Sequence, residues 1–449
     1  MNNYQLRDTI LDILIRIEKD NGFSHLLIDH ELKKQRLQAK DEGLLTGIVY
    51  GTMQYKITLD YYLEHFIDQR KKLDLWVRML LRMSVYQMVY LDKVPDHAII
   101  HEAVELAKRR GHKGIASFVN GVLRSIQRKG VPTISSLTDD VIRLSVETSH
   151  PEWLVRRWVN AYGYTTAKEM CEMNVTKKHT AIRIQPMKLS RSEAMDRLKE
   201  EGFEVTASEL SSQGIIIEKG NILKSSLFLN GEITIQDQSS MLVGELLLAE
   251  PGMQVLDACS APGGKATHIA EKMLNKGRLE AHDLHKKKAK RVETKASDLG
   301  LSIIHASQAD ARNLKDKYKP ESFDRILIDA PCSGLGVMRG KPEIKYHKQE
   351  ADIERLAAIQ LDILQSTAPL LKKDGLLIYS TCTVDTAENE GVVKRFLANN
   401  PEYIVDRAFF EDLPQSLKTT KGISEYGFQL FPQDVDSDGF FLTRIKREN

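Results

Sequence analysis

Two apolar runs in this chain end in thiols. Ile326 to Asp329 leads into Ala330-Pro331-Cys332-Ser333-Gly334, and Leu376 to Tyr379 leads into Ser380-Thr381-Cys382. A cysteine at a strand end can act as a nucleophile, forming a covalent intermediate that splits one hard step into easier ones. Two such ends suit a reaction in which one thiol attacks and a second group assists collapse of the adduct. Upstream, Asp257-Ala258-Cys259-Ser260-Ala261-Pro262-Gly263-Gly264-Lys265 joins a strand to a helix start. This turn fails the phosphate-loop pattern, because Cys259 stands where the first glycine belongs and Ala266 follows Lys265. It also lacks the glycine spacing of dinucleotide enzymes. What it offers is a close backbone approach, with amides and a helix N-terminus facing a carboxylate or a ribose.

Acids recur along the same edge. Asp283 ends the next strand, Asp310 follows the third and Asp329 ends the fourth; with Asp257 they are expected to line one rim of a sheet. An acidic rim without a phosphate-directed lysine favours a ligand with hydroxyls, an amine and a purine. S-adenosylmethionine fits better than a nucleoside triphosphate. The expected cofactor-binding residues are Cys259, Ser260, Ala261, Pro262, Gly263, Gly264, Lys265, Asp283, Asp310 and Asp329. The four cysteines, Cys171, Cys259, Cys332 and Cys382, form no C-x-x-C pair, so no metal site is expected. Cys171 and Cys259 read as packing residues, the latter also giving backbone contacts under the glycine turn.

The elements that must position these groups follow from periodicity. From Ile233 onward, strand patterns at 254–257, 278–281, 302–306, 325–329, 375–380 and 440–445 alternate with helical stretches such as 266–274 and 286–299. That alternation predicts a Rossmann-like α/β domain over 233–449, a parallel sheet with helices on both faces and ligands at the strand carboxyl ends. A small α+β connector is expected over 145–232, with strands at 181–184 and 214–217, a helix at 192–201 between them, and Ser149 capping a helix that carries Arg156, Arg157 and Trp158. Residues 1–130 read as an all-α domain, with Leu6, Ile10, Ile13, Leu14 and Ile17 at helical spacing, and 130–140 as a linker.

The chain has 449 residues, 42% apolar and 28% charged, as expected of a folded multidomain protein. No apolar run approaches the roughly 20 residues of a membrane span, and Met1 to Asp20 has no signal-peptide core, so a cytoplasmic protein is expected. Net charge is only +2, but His101 to Gly130 holds seven Lys/Arg against two acids. Lys108, Arg109 and Arg110 there, and Arg339, Lys341 and Lys345 after Cys332, are candidate contacts for RNA phosphates.

Cys259 to Lys265, Asp329-Ala330-Pro331-Cys332 and Ser380-Thr381-Cys382 resemble the RNA (cytosine-5) methyltransferases. The helical N-terminal region looks like a NusB-type RNA-binding domain, and with Ser149-His150-Pro151-Glu152-Trp153 it points to the bacterial small-subunit rRNA methyltransferase B subgroup (Sun/Fmu type). The resemblance covers the whole chain. Ser260, Ala266 and Thr383 depart from the usual Ala, Thr and Ser, and Ala309 stands where Gly is usual before Asp310; none of these removes a reactive group. The resemblance implies a monomer that methylates carbon-5 of a cytosine in 16S rRNA from S-adenosylmethionine. It makes Cys382 the nucleophile and Cys332 the group assisting release, with Asp329 on the cytosine ring nitrogen and Lys265 orienting that carboxylate or lowering a thiol pKa. The residues alone do not rank the two thiols. They also leave open methylation of tRNA or another RNA, methylation of an exocyclic amine, and a non-catalytic ribosome-assembly factor.

Overall fold

A computed structural model describes residues 3–35, 37–68 and 72–448; Met1, Asn2, Arg36, Gln69, Arg70, Lys71 and Asn449 lie outside the described residues. The chain divides into two compact units: residues 1–176 with 338–348, and residues 177–337 with 349–449.

The first unit is helical. Asn3–Asp20, Ser24–Gln35, Ala39–Gln54, Lys56–Glu64, Leu75–Tyr90, Asp96–Arg110 and Lys113–Lys129 pack around one core, which takes in Leu6, Ile10, Leu14, Leu80, Leu106 and Leu123. The expected periodic residues are the ones buried, as a 3.6-residue repeat requires. Ser149 departs from expectation. It sits in the left-handed region (φ 55°) after the helix Asp140–Thr148, while Pro151 precedes Glu152–Asn174. Its hydroxyl instead accepts the Ile57 amide (2.7 Å), capping the neighbouring helix Lys56–Glu64.

Residues 338–348 also belong to this unit, with two consequences for the expected RNA contacts. Lys345 is fully buried, its amine donating to the Gln54 carbonyl (3.0 Å), and Arg339 is buried with its guanidinium on the Thr176 carbonyl (3.3 Å). Neither is presented to a phosphate backbone; Lys341 is half-buried. Burial lowers the Lys345 pKa to about 7. An unfolded lysine titrates near 10.4, so as pH falls from there to 7 the unfolded chain takes up a proton that the folded chain refuses, and stability drops. Lys345→Met should therefore raise the Tm most at pH 7 and below, with the gain fading toward pH 10. A melting series across that range checks it.

The second unit holds two sheets. β1 (Thr180–Ile184), β2 (Glu204–Ala207), β3 (Gly214–Lys219) and β4 (Ile233–Ile235) form an antiparallel sheet in the order β2-β3-β1-β4, covered by the helix Arg191–Glu200. A capping box at Ser190 and Glu193 starts that helix. The larger sheet comprises β5 (Gln254–Asp257), β6 (Arg278–Asp283), β7 (Ile304–Gln308), β8 (Phe323–Asp329), β9 (Leu371–Thr381), β10 (Tyr403–Val405), β11 (Ile423–Ser424), β12 (Gly427–Leu430) and β13 (Phe440–Arg447). Its order is β11-β12-β13-β9-β8-β5-β6-β7, with β10 also on β13. The sheet is mixed rather than wholly parallel. β5 to β9 run parallel, but β13 is antiparallel to β9, β10 and β12. β12 and β13 follow one another through a short loop, which permits only antiparallel pairing. The strand order reverses at β5, between β6 and β8, the place where such sheets open a ligand crevice at their carboxyl ends.

Candidate active site

The parallel register carries both thiols to one place. Asp329 of β8 pairs in register with Ser380 of β9, and the Ala330 amide donates to the Ser380 carbonyl (2.8 Å). Three residues past Asp329 and two past Ser380, the sulfurs of Cys332 and Cys382 lie 3.3 Å apart, both half-buried. The Gly336 amide donates to the Cys382 carbonyl (3.0 Å), and the Gly439 amide to the Gly336 carbonyl (2.9 Å), so three loops meet. A Cβ on Gly336 would stand 1.9 Å from the Gly439 oxygen, which explains a glycine there.

Lys265, at the start of the helix Gly264–Lys272, pairs with Asp329 (2.7 Å), whose other oxygen accepts the Ser380 hydroxyl (3.0 Å). Burial disfavours the Lys265 charge, but Asp329 outweighs it and Cys382 adds to the effect, so the amine is held as a cation close to that thiol. The Cys332 thiol is pushed well up, first by its hydrogen bond with Cys382 and then by burial.

The glycine turn brings the rest of the rim together. Gly263 has φ 98°, and a Cβ there would press on Val292 at 3.3 Å. Asp257 is fully buried beneath the turn, with the Ser260 hydroxyl and the Cys259 amide beside its carboxylate. Burial, then Asp329, raises the Asp257 pKa to about 7. Asp283 accepts the His285 amide (2.9 Å), and Asp310 caps a short helix while gripping Arg312 (2.6 Å). Cys259 is packed beneath the turn, and burial pushes its thiol well up. Cys171 is buried in the helical unit with its thiol raised to about 12, again by burial. In the basic stretch, Lys108 and Arg109 are exposed, Lys108 on Glu105 (2.6 Å); Arg110 is tied to Asp8 and Asp12. Among the described residues no acidic, His or Cys cluster suits a metal, and no helix is long and apolar enough to cross a membrane.

The sequence did not point to Arg183. This fully buried residue of β1 donates to the Gly264 carbonyl (2.9 Å), to Thr267 (3.1 Å) and, through two nitrogens, to Glu271 (2.7 and 2.9 Å). It therefore holds the helix that begins at the glycine turn. Arg183→Met leaves Glu271 a buried charge without its cation, a loss on the order of 3–5 kcal/mol. Calorimetric titration should show S-adenosylmethionine affinity falling at least about tenfold for a correspondingly smaller displacement of the turn; unchanged affinity would separate the turn from this network. Glu388, Asn389 and Gln360 were also missed; the only cue was an acid-amide-acid run, Glu388-Asn389-Glu390, shortly after Cys382.

Residues 245–446 match the model of the 16S rRNA methyltransferase RsmB/F family, 4–128 that of the NusB family, and 150–223 the ferredoxin-like domain of RsmF/B-like methyltransferases. A "Probable ribosomal RNA small subunit methyltransferase B" of Bacillus subtilis is 47% identical over the full length of both chains. The chain belongs to the RsmB/F methyltransferase family. A protein of the same description from Synechocystis is 33% identical over 97% of this chain and 98% of its own. The crystal structure of a methyltransferase homologue from Pyrococcus horikoshii, 25% identical, superposes with a TM-score of 0.60 over 70% of this chain and all of its own. The expected three-part architecture is borne out: a NusB-like helical region, a ferredoxin-like connector and a methyltransferase domain. The methyl donor of this family is S-adenosylmethionine. The rim fits it, since the half-exposed carboxylates of Asp283, which ends β6, and Asp310, which follows β7, stand next to the turn whose Ser260 amide donates to the His282 carbonyl, and can accept from an amine and hydroxyls.

Proposed function

We propose that the protein methylates carbon-5 of a cytosine in small-subunit (16S) rRNA through a covalent bond between Cys382 and the base. The observation that carries this reading is the pair of sulfurs 3.3 Å apart beside the Lys265–Asp329 ion pair. Carbon-5 of cytosine is too weak a nucleophile to be methylated at a useful rate unaided. The Cys382 thiolate adds to carbon-6, and the electrons of the C5–C6 double bond shift into the ring, leaving carbon-5 enamine-like. Lys265 favours that thiolate, as does a hydrogen bond from the protonated Cys332. As the thiolate adds, the ring nitrogen takes up a proton from solvent, and the resulting N–H donates to the Asp329 carboxylate, which its pairing with Lys265 holds in place. S-adenosylmethionine, when bound by the glycine turn and the strand-end acids, supplies the electrophilic methyl group. The carbon-5 proton then passes to solvent water, the C–H electron pair restores the C5–C6 double bond, the ring N–H proton is given up, and the C6–S bond breaks so that Cys382 departs as thiolate, steadied by a hydrogen bond from Cys332. A base must leave its stack to reach a strand-end crevice, which favours an accessible rRNA loop. Lys108, Arg109 and Lys341 supply part of the grip on phosphates.

The test is transfer of labelled methyl to 16S rRNA followed by nucleoside analysis. Label in 5-methylcytidine supports the reading. Label on an exocyclic amine, or in tRNA alone, overturns the chemistry or the substrate respectively, and no transfer would leave a binding protein.

A further inference from the structure

The residues just after Cys382 do something that neither thiol can do for itself. Glu388 is fully buried, and its carboxylate accepts three donors: the Ser333 amide (2.8 Å), the Ser333 hydroxyl and the Gln360 amide nitrogen (3.0 Å). The same Gln360 nitrogen donates to the Pro331 carbonyl (3.0 Å). Cys332 is thus gripped through the residue on each side of it. Asn389, also buried, accepts the Thr381 hydroxyl on its oxygen and donates to the Thr383 carbonyl (3.1 Å) and to Gln429 (2.8 Å). Cys382 is held through both of its neighbours in the same way. Tyr379 completes the frame, its hydroxyl donating to the Glu388 carbonyl (2.6 Å), with the Gln360 side-chain oxygen 3.2 Å away. The frame is anchored by the helix Glu390–Asn399, which starts at Asn389 and buries Val393 and Phe396.

We propose that the Glu388–Asn389 dipeptide is a positioning device that fixes the separation of the two catalytic sulfurs, Glu388 setting Cys332 and Asn389 setting Cys382. Two residues adjacent in the chain cannot drift apart, so the loops they hold keep one spacing. The donor and acceptor pattern is specific. Two N–H donors converge on one Glu388 oxygen and the Ser333 hydroxyl on the other, so an apolar side chain there would orphan all three; Asn389 must both accept and donate, so a carboxylate cannot replace it. Buried bonds of this kind are costly to break because the orphaned partner has no water to turn to.

The roles of the thiols rest on the function proposed above, but the spacing does not, and the experiment keeps them apart. Full-length wild type, Glu388→Leu and Asn389→Asp are treated with diamide, which is reduced to its hydrazine as two thiols become one disulfide. Peptide mapping follows the Cys332–Cys382 cross-link. The proposal expects cross-linking to slow at least about tenfold in both variants while the Tm shows them folded; folded variants that cross-link at the wild-type rate overturn it. If either variant fails to fold, Ser333→Ala and Gln360→Leu, which each remove one part of the Cys332 grip, take its place with the same expectation. In a second arm, with RNA and S-adenosylmethionine, Glu388→Leu accumulates covalent adduct and Asn389→Asp forms less of it. Equal effects on the two would overturn the division of labour. Slowed cross-linking with no adduct in any variant would instead contradict the covalent function and leave the clamp standing.

Discussion

Replacing Cys382 with alanine should lower methyl transfer to RNA by on the order of 10⁴-fold or more, the usual cost of deleting a covalent nucleophile. Cys332, whose sulfur lies 3.3 Å away in the wild type, loses in this variant the hydrogen bond that raises its pKa most, but burial still disfavours its thiolate and it stands on the loop after β8 rather than at the attacking position. The substitution removes a half-buried side chain whose backbone carbonyl, on Gly336, is untouched, so the fold should survive. Binding of RNA and of S-adenosylmethionine should stay within a few-fold of wild type, which places the loss in the chemical step. Transfer of labelled methyl under single-turnover conditions measures it. A variant retaining activity within tenfold of wild type would point to an exocyclic amine as the acceptor, since that chemistry has no use for a thiol.

Replacing Cys332 with alanine should have a large effect of another kind. Attack by Cys382 is still assisted by Lys265, whose pairing with Asp329 (2.7 Å) does not involve Cys332. Collapse of the adduct loses its assistant. The protein should therefore stop after methylation with RNA still attached, giving a band on a denaturing gel that survives heat and disappears on ribonuclease treatment. Its formation should need S-adenosylmethionine. The double variant lacking both thiols should give no band, and a single Cys332 variant that turns over freely would remove the residue from the mechanism.

The reactive groups were legible because each sits at the end of an apolar run. Asp329, Cys332 and Cys382 follow strands whose hydrophobic stretches mark their boundaries, and the parallel pairing of β8 and β9 then brings the thiols together. The glycine turn announced itself by composition. What supports these groups was not legible, because its meaning lies in partners far along the chain. Arg183 acts on Gly264 and Glu271, more than 80 positions away, and Gln360 on Pro331 and Glu388. A buried polar side chain is recognised only once its acceptors are placed. Lys345 misled for a related reason. A lysine three residues past Pro342, in a stretch that opens with Gly340-Lys341-Pro342, reads as surface, yet this segment packs within the helical unit, where Glu343 caps the helix Ser24–Gln35 through the Ser24 amide (3.0 Å). The antiparallel edge was lost because β10, β11 and β12 are only two to four residues long.

The claim on which the rest depends is a bond between one sulfur and a pyrimidine carbon. Its most direct measurement is the mass of the tryptic peptide that contains Cys382, taken from the Cys332→Ala variant after reaction with 16S rRNA and S-adenosylmethionine and digestion of the RNA to nucleotides. The peptide should gain the mass of one methylated cytidine nucleotide, with fragmentation locating it on Cys382. Finding that peptide unmodified while methyl groups accumulate in the RNA, or finding the nucleotide on another residue, would contradict the account.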